Sequence, residues 1–352
     1  MLNINAQSYK LDATITQDST HELQTSLSTY LRYKHIILLD SVHSAFVLAL
    51  STVAKESHVL CSPNAPIDLY SALRSNLCTT QYADLKLDGT METRFYKKTF
   101  STNTKALILS HNHGVLSDCV ATLQFTQEHN LSFIEDATQA FSQREKSGAD
   151  LVVYALDTLI PESIAKGAFI ATDSDAIAQT LQTRVGGGYV HKKFWNYDLL
   201  NEVSDHNLSP LVAQLALNTL QTHQEKEQRI TAIQNFYHDK LSNNRLIELP
   251  QQSQLTPHTL FQVMLVPALF CPKEDIYKAL IDAGIDVKIG YKPIYKTTAY
   301  KDETLSLFGA EEVFKAQLLL PCHHLMTDED IAYVVETLEK VLETYGYRGC
   351  SF

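Results

Sequence analysis

The sequence predicts a three-layer α/β domain built on a mostly parallel sheet, followed by a smaller C-terminal α+β domain. Three observations carry that expectation. Short apolar runs recur through the first half, at 35–40, 58–62, 106–110, 131–136, 151–156 and 168–172. They lack strict alternation, as strands buried on both faces do. Segments with helical spacing lie between several of them, including Ala45 to Ala54, Asp68 to Leu77 and Asp118 to His129. That order implies parallel strands joined by right-handed crossovers. Beyond about residue 208 the pattern changes to a long helical stretch from Pro210 to Leu241, a strand-like run from Thr259 to Val266 and a helix from Lys273 to Ala283. A last helix opens at Thr327-Asp-Glu-Asp330, with a hydroxyl at the N-cap and carboxylates where the helix dipole favours them. The expected division is 1–220 and 221–352.

A chain of 352 residues exceeds the size at which one core keeps growing, so two cores are expected. With 29 Lys+Arg against 40 Asp+Glu, a net charge of −11 and no basic block, the chain would repel a phosphate backbone, and nucleic acid is not an expected partner. The apolar stretches are far shorter than the roughly 20 residues that span a bilayer. Met1 to Lys10 lacks a basic start followed by an apolar run, so a soluble, cytoplasmic protein without a membrane partner is expected. Six scattered cysteines (Cys61, Cys78, Cys119, Cys271, Cys322, Cys350) form no Cys-x-x-Cys pair and read as reduced thiols. His111-Asn-His113 and His323-His324 lack ligands at metal spacing, so no metal is expected. Gly186-Gly-Gly-Tyr189 lacks a phosphate-loop pattern and reads as a turn.

In an open parallel sheet, ligands bind at the carboxyl ends of the strands. The residues there are Ser41-Val42-His43, Pro63-Asn64, His111 to Gly114, Asp136-Ala-Thr-Gln139 and Asp157-Thr158. They form a polar set with imidazoles and carboxylates.

Six segments give these positions a context: Asp40 to Leu50, Thr104 to Gly114, Phe133 to Ala140, Ala165 to Asp173, Gly290-Tyr-Lys-Pro-Ile-Tyr295 and Leu319 to Asp330. In shared order and spacing the chain resembles the nucleotide-sugar aminotransferases of the DegT/DnrJ/EryC1/StrS type, over nearly its whole length. The resemblance implies a fold-type I aminotransferase-like domain, a pyridoxal or pyridoxamine phosphate cofactor, a nucleotide-sugar ligand and a homodimer. It puts Asp136 against the pyridinium nitrogen, where a carboxylate keeps the ring protonated as an electron sink. Gln139 matches the residue that hydrogen-bonds the ring hydroxyl, and Asn207 the asparagine that reaches the neighbouring subunit's cofactor phosphate. Tyr291 and Tyr295 match positions lining the substrate side. Each position also has a plain reading: Asp136 as the cap of a following helix, Asn207 as a turn ahead of Pro210, and the tyrosines as core packing.

The departures from the family pattern bear directly on chemistry. Val42-His43 stands where the family has Gly-Thr closing on the phosphate; His43 is a donor to a phosphate if charged, and otherwise a surface imidazole. Pro66 falls where an aromatic ring covers the cofactor, and Ala155 where a serine contacts the phosphate. Counting back seven residues from Gly167, the Schiff-base lysine position falls on Ile160, which has no amine. Lys166 lies nearby but aligns with a glutamate of the family. Two readings follow. One is a non-catalytic or altered relative, a pseudoenzyme in nucleotide-sugar or surface-polysaccharide metabolism, with any cofactor non-covalent or none at all. The other is an aminotransferase or dehydratase on a nucleotide-linked keto sugar, with His111 or His43 moving the proton, or Lys166 serving as the amine.

Overall fold

A computed structural model describes residues 18–53, 55–161, 163–193, 195–199, 205–266 and 273–346. The N-terminal ten residues, Cys271 and Cys350 lie outside them. The chain runs through α1 (Asp18–Leu31), β1 (His35–Leu39), α2 (Val42–Leu50), β2 (His58–Cys61), α3 (Ile67–Ser75), β3 (Thr79–Tyr82), α4 (Thr93–Thr99), β4 (Thr104–Ser110) and α5 (Cys119–Glu128). It continues through β5 (Ser132–Asp136), β6 (Leu151–Ala155), β7 (Ala168–Thr172) and α6 (Asp175–Val185).

Seven strands form one sheet in the order β1-β7-β6-β5-β4-β2-β3. From β3 to β6 neighbouring strands are parallel, while β7 runs antiparallel to both β6 and β1. All six apolar runs become strands. The seventh, β3, reads Thr-Thr-Gln-Tyr and lies at the sheet edge, where half-exposed side chains need no apolar run. Side-chain alternation produces the three layers. Ile37, Leu39, Ile108, Ile134, Val153 and Ile170 pack against α2 and α3. On the other face, Leu38, Val152 and Phe169 meet Leu23 and Leu27 of α1, while Leu107, Leu109 and Phe133 meet Phe125 of α5.

The second half holds a hairpin of β8 (Tyr189–Lys193) and β9 (Asn196–Leu199), then α7 (Pro210–Leu220), α8 (His223–Leu241), β10 (Ile247–Glu248), β11 (Leu260–Leu265) and α9 (Lys273–Asp282). After these come β12 (Lys288–Ile289), α10 (Phe308–Ala316), β13 (Gln317–Pro321) and α11 (Asp328–Gly346). The stretch expected as one helix from Pro210 breaks at Gln221 and Thr222: Ala213 and Ala216 of α7 pack into the core around α1, whereas α8 enters a second core from Ile230 onward. That second core lies around an antiparallel sheet, β10-β11-β13-β12. The last helix starts as its sequence suggests, with Thr327 and Asp330 exchanging side-chain-to-backbone bonds of 3.1 and 2.9 Å. Gly187 and Gly188 take positive φ in the turn from α6 to β8. Cys61, Cys78, Cys119 and Cys322 are free thiols. Among the described residues no helix is long and apolar enough to cross a membrane.

One junction ties the second sheet to the edge of the first. The Asp84 carboxylate, just past β3, accepts from the N–H groups of Gly309 and Ala310 at 3.1 and 2.8 Å, capping α10 from outside its own segment. Asn64 donates to the Ala310 carbonyl at 3.0 Å. A Cβ at Gly309 would fall 1.9 Å from the Leu85 carbonyl oxygen. Gly309→Ala is therefore expected to cost about 2 kcal/mol or more, because the obstructing atom is backbone. Thermal unfolding checks this, and an unchanged Tm would show that the junction yields.

Candidate functional site

The carboxyl ends of β1, β5 and β6 open into a cavity of about 200 Å³. Ser41 and Val42 reach it from the start of α2, and Pro66 from just before α3. Thr138 and Gln139 come from the loop after β5, Ala155 and Asp157 from the end of β6, and Lys166 and Tyr291 close the wall. Five positions picked out by the resemblance, Val42, Pro66, Gln139, Ala155 and Tyr291, therefore surround one space.

Helix α2 points its N-terminus at this cavity. Ser41 caps it by accepting from the Ser44 N–H at 3.2 Å. The remaining first-turn N–H groups and the helix dipole make this end attractive to an anion. His43 is half-buried on that first turn and does not line the cavity.

Asp136 is 1% exposed. Its carboxylate accepts from the hydroxyls of Ser110 at 2.9 Å and Thr138 at 2.7 Å, and from the Thr138 N–H at 3.2 Å. No helix follows, so the capping alternative is corrected: Asp136 closes a tight turn whose later residues, Thr138 and Gln139, form the cavity wall. Burial raises its pKa above the usual carboxylate value, against the pull of the Thr138 and Ser110 bonds. The Gln139 amide bridges two groups, its oxygen accepting from the His113 N–H and its nitrogen donating to Tyr291 Oη, both at 2.9 Å.

Other expected site residues lie elsewhere. His111 sits on the opposite face of the sheet, because it shares its parity with Leu107 and Leu109 of β4. Its Nδ1 accepts from the Ser117 N–H at 3.1 Å, and its Nε2 meets Glu135 Oε1 at 3.0 Å. It is buried away from the cavity and moves no proton there. Glu135, Cys119 and His111 bring ligand atoms within 4.8 Å of one another. The Ser117 N–H keeps Nδ1 unprotonated, so the proton is on Nε2 and that nitrogen has no lone pair for a metal. Arg144 already holds the Glu135 carboxylate. Burial alone would raise Glu135, but the His111 bond and the Arg144 charge hold it at about 2. The cluster is an ion-paired brace.

Tyr295 is also corrected. It is 1% exposed, donates to Glu311 at 3.0 Å and accepts from the Leu307 N–H at 3.1 Å, so it braces the segment before α10 and does not line this cavity. Asn207 is exposed; its backbone and side-chain N–H groups both bond Asp205 Oδ1, at 3.0 and 2.7 Å, in a turn ahead of α7.

Ile160 is 1% exposed and packs with Leu156, Leu159 and Phe169. Lys166, by contrast, is exposed and lines the cavity. Gly167 explains the position: a Cβ there would stand 2.7 Å from Leu156 Cδ1, so the chain enters β7 tight against the end of β6 and carries Lys166 to the rim beside Asp157. Ser41 and Thr138, both in the strand-end set, join Lys166 at this cavity without having been assigned a role there. The Thr138 signal was local, a threonine two residues after a strand-end Asp. Ile160 carries no amine and so cannot hold a pyridoxal phosphate covalently. The cavity residues do offer a small anionic ligand a helix N-terminus, an ammonium and a phenol.

Comparison with known proteins supplies the context. A profile described as the DegT/DnrJ/EryC1/StrS aminotransferase family matches residues 5–339. The chain is 27% identical over 347 residues to the UDP-4-amino-4,6-dideoxy-N-acetyl-beta-L-altrosamine transaminase of Campylobacter jejuni, covering 94% of this chain and 92% of that one. Its fold is similar to that of Helicobacter pylori PseC, an aminotransferase involved in the biosynthesis of pseudoaminic acid, with a TM-score of 0.87, 20% identity and coverage of 96% and 94%. The PMP form of the putative sugar aminotransferase Spr1654 of Streptococcus pneumoniae matches with a TM-score of 0.84, 20% identity and coverage of 95% and 93%. With the match spanning nearly every element described above, the chain belongs to the DegT/DnrJ/EryC1/StrS aminotransferase family.

Proposed function

We propose that this protein keeps the nucleotide-sugar cleft of its family, does not run ordinary transamination, and serves a non-catalytic or altered role in nucleotide-sugar metabolism. The substrate class is supported by similarity to the Campylobacter UDP-4-amino-4,6-dideoxy-N-acetyl-beta-L-altrosamine transaminase. The loss of transamination rests on Ile160, an apolar side chain packed in the core where the family has an amine. That amine is needed to hold the cofactor and to shuttle a proton on the substrate side. Val42, Pro66 and Ala155 support the same reading, since they put a β-branched side chain where the family has a turn glycine, a proline where it has an aromatic ring and a methyl where it has a hydroxyl.

A second reading is favoured by one observation: Lys166 stands at the same cavity. In that reading the enzyme is a sugar aminotransferase or dehydratase using pyridoxal or pyridoxamine phosphate, with its amine displaced by six residues. Homodimer formation belongs to either reading. The β8–β9 hairpin exposes Trp195, Tyr197 and Leu199, an apolar surface suited to a second copy.

Three outcomes are expected. Incubation with pyridoxal phosphate, reduction with borohydride and peptide mapping should leave no stoichiometric label; a single label on Lys166 would establish the second reading instead. Ile160→Lys should destabilise by about 3 kcal/mol or more, because it buries an unpaired ammonium, and should not restore turnover. Unfolding and activity assays check it, and a soluble variant that labels at position 160 and turns over would overturn the proposal. Light scattering should report a dimer at micromolar concentration, with a monomer contradicting the assembly.

A further inference from the structure

We propose that a cleft between α8 and the loop after β5 is a second binding site, and that it takes an uncharged polyhydroxylated ligand, a pyranose sugar or its N-acetyl derivative. The cleft has a volume of about 670 Å³. Small-molecule clefts span roughly 300–1,000 Å³, so a mono- or disaccharide is the right size. It lies behind the sheet: Arg144, which lines it, holds Glu135 from the face opposite the Asp136 cavity.

Helix α8 forms one wall. Gln224, Gln228, Thr231 and Asn235 follow one another at intervals of four, three and four residues, which sets them in a single row along the helix. All four are exposed, and none makes a side-chain hydrogen bond within the described residues. Opposite them, the Gln143 amide donates to the Tyr30 carbonyl at 3.1 Å. A carbonyl can only accept, so the facing atom is the amide nitrogen, and Gln143 Oε1 is left as an acceptor for a ligand. A primary amide carries donors and an acceptor side by side, which matches adjacent hydroxyls that each donate once and accept.

The charge in the cleft is already matched from within the protein. Its two charged lining residues are Arg144, held by Glu135, and Glu227. Glu227 accepts from Tyr30 Oη at 2.7 Å and lies 3.3 Å from His223 Nε2. An ionic ligand would find no unmatched countercharge there, and a net charge of −11 disfavours an anion further. The half-buried Leu255 and Pro257 add an apolar strip suited to the C–H face of a sugar ring. Both walls are fixed before a ligand arrives. Leu255 pairs with Val115 in a β-bridge, the Leu116 N–H donates to the Gln254 carbonyl at 2.8 Å, and Gln234 on α8 donates to the Thr256 carbonyl at 2.8 Å. A preformed cleft spends little of its binding energy on ordering itself. None of this depends on whether transamination has been lost.

The test is saturation-transfer NMR on the full-length protein, with methyl α-D-glucopyranoside and N-acetyl-D-glucosamine as probes and inorganic phosphate as the anionic control. At least one sugar should bind with a Kd on the order of 1 mM, as an open cleft allows. At saturation it should slow amide hydrogen exchange in 224–235 and 253–257. Gln228→Ala and Asn235→Ala should each weaken binding about fivefold, with Tm unchanged because both side chains are exposed. Binding of neither sugar, or of phosphate alone, would overturn the proposal. So would an affinity unchanged in the double variant, or protection confined to the Gln139 and Tyr291 segments, which would place the sugar in the other cavity.

Discussion

Two neighbouring buried carboxylates on one central strand set the terms for the rest of this structure. Glu135 and Asp136 end β5, and strand alternation sends them to opposite faces of the sheet. Burying either without partners would cost several kcal/mol. The parallel register of β4 and β5, with Ser110 opposite Asp136, solves both problems at once. Ser110 donates to Asp136 on the cavity side, and His111, the next residue, serves Glu135 on the other. A register slip of one residue would set each donor against the wrong face. The loop carrying Thr138 and Gln139 begins from this point, so the cavity wall is built on a strand end held from both faces of the sheet.

The layered fold was legible because strands buried on both faces must be apolar throughout, and six runs announced themselves that way. The edge strand β3 was not, since a strand with one neighbour and half-exposed side chains leaves no apolar trace. At the site, Val42, Pro66, Gln139 and Ala155 were legible through order and spacing, and the fold gathers them around one cavity. His111 and Tyr295 were misplaced for a common reason. An imidazole or a phenol at a strand end or a loop carries no mark of which layer it enters, and that is settled by parity with residues several positions away. Lys166 was undervalued because alignment counts residues along the chain, whereas the tight entry at Gly167 decides what stands beside β6.

The cavity lining divides by chemistry. Val42, Pro66 and Ala155 bring it no side-chain hydrogen-bond donor. What remains polar is concentrated on one wall, in Thr138, Gln139 and Tyr291, with Lys166 at the rim.

The Asp84 cap has a mechanical consequence. Helix α10 leads directly into β13, a central strand of the second sheet, and its first turn is bonded to the edge of the first sheet through Asp84 and Asn64. A hinge that swung the second sheet outward would have to break these bonds together and expose the end of a helix to solvent. The junction therefore couples the α10–β13 segment mechanically to the edge of the first sheet.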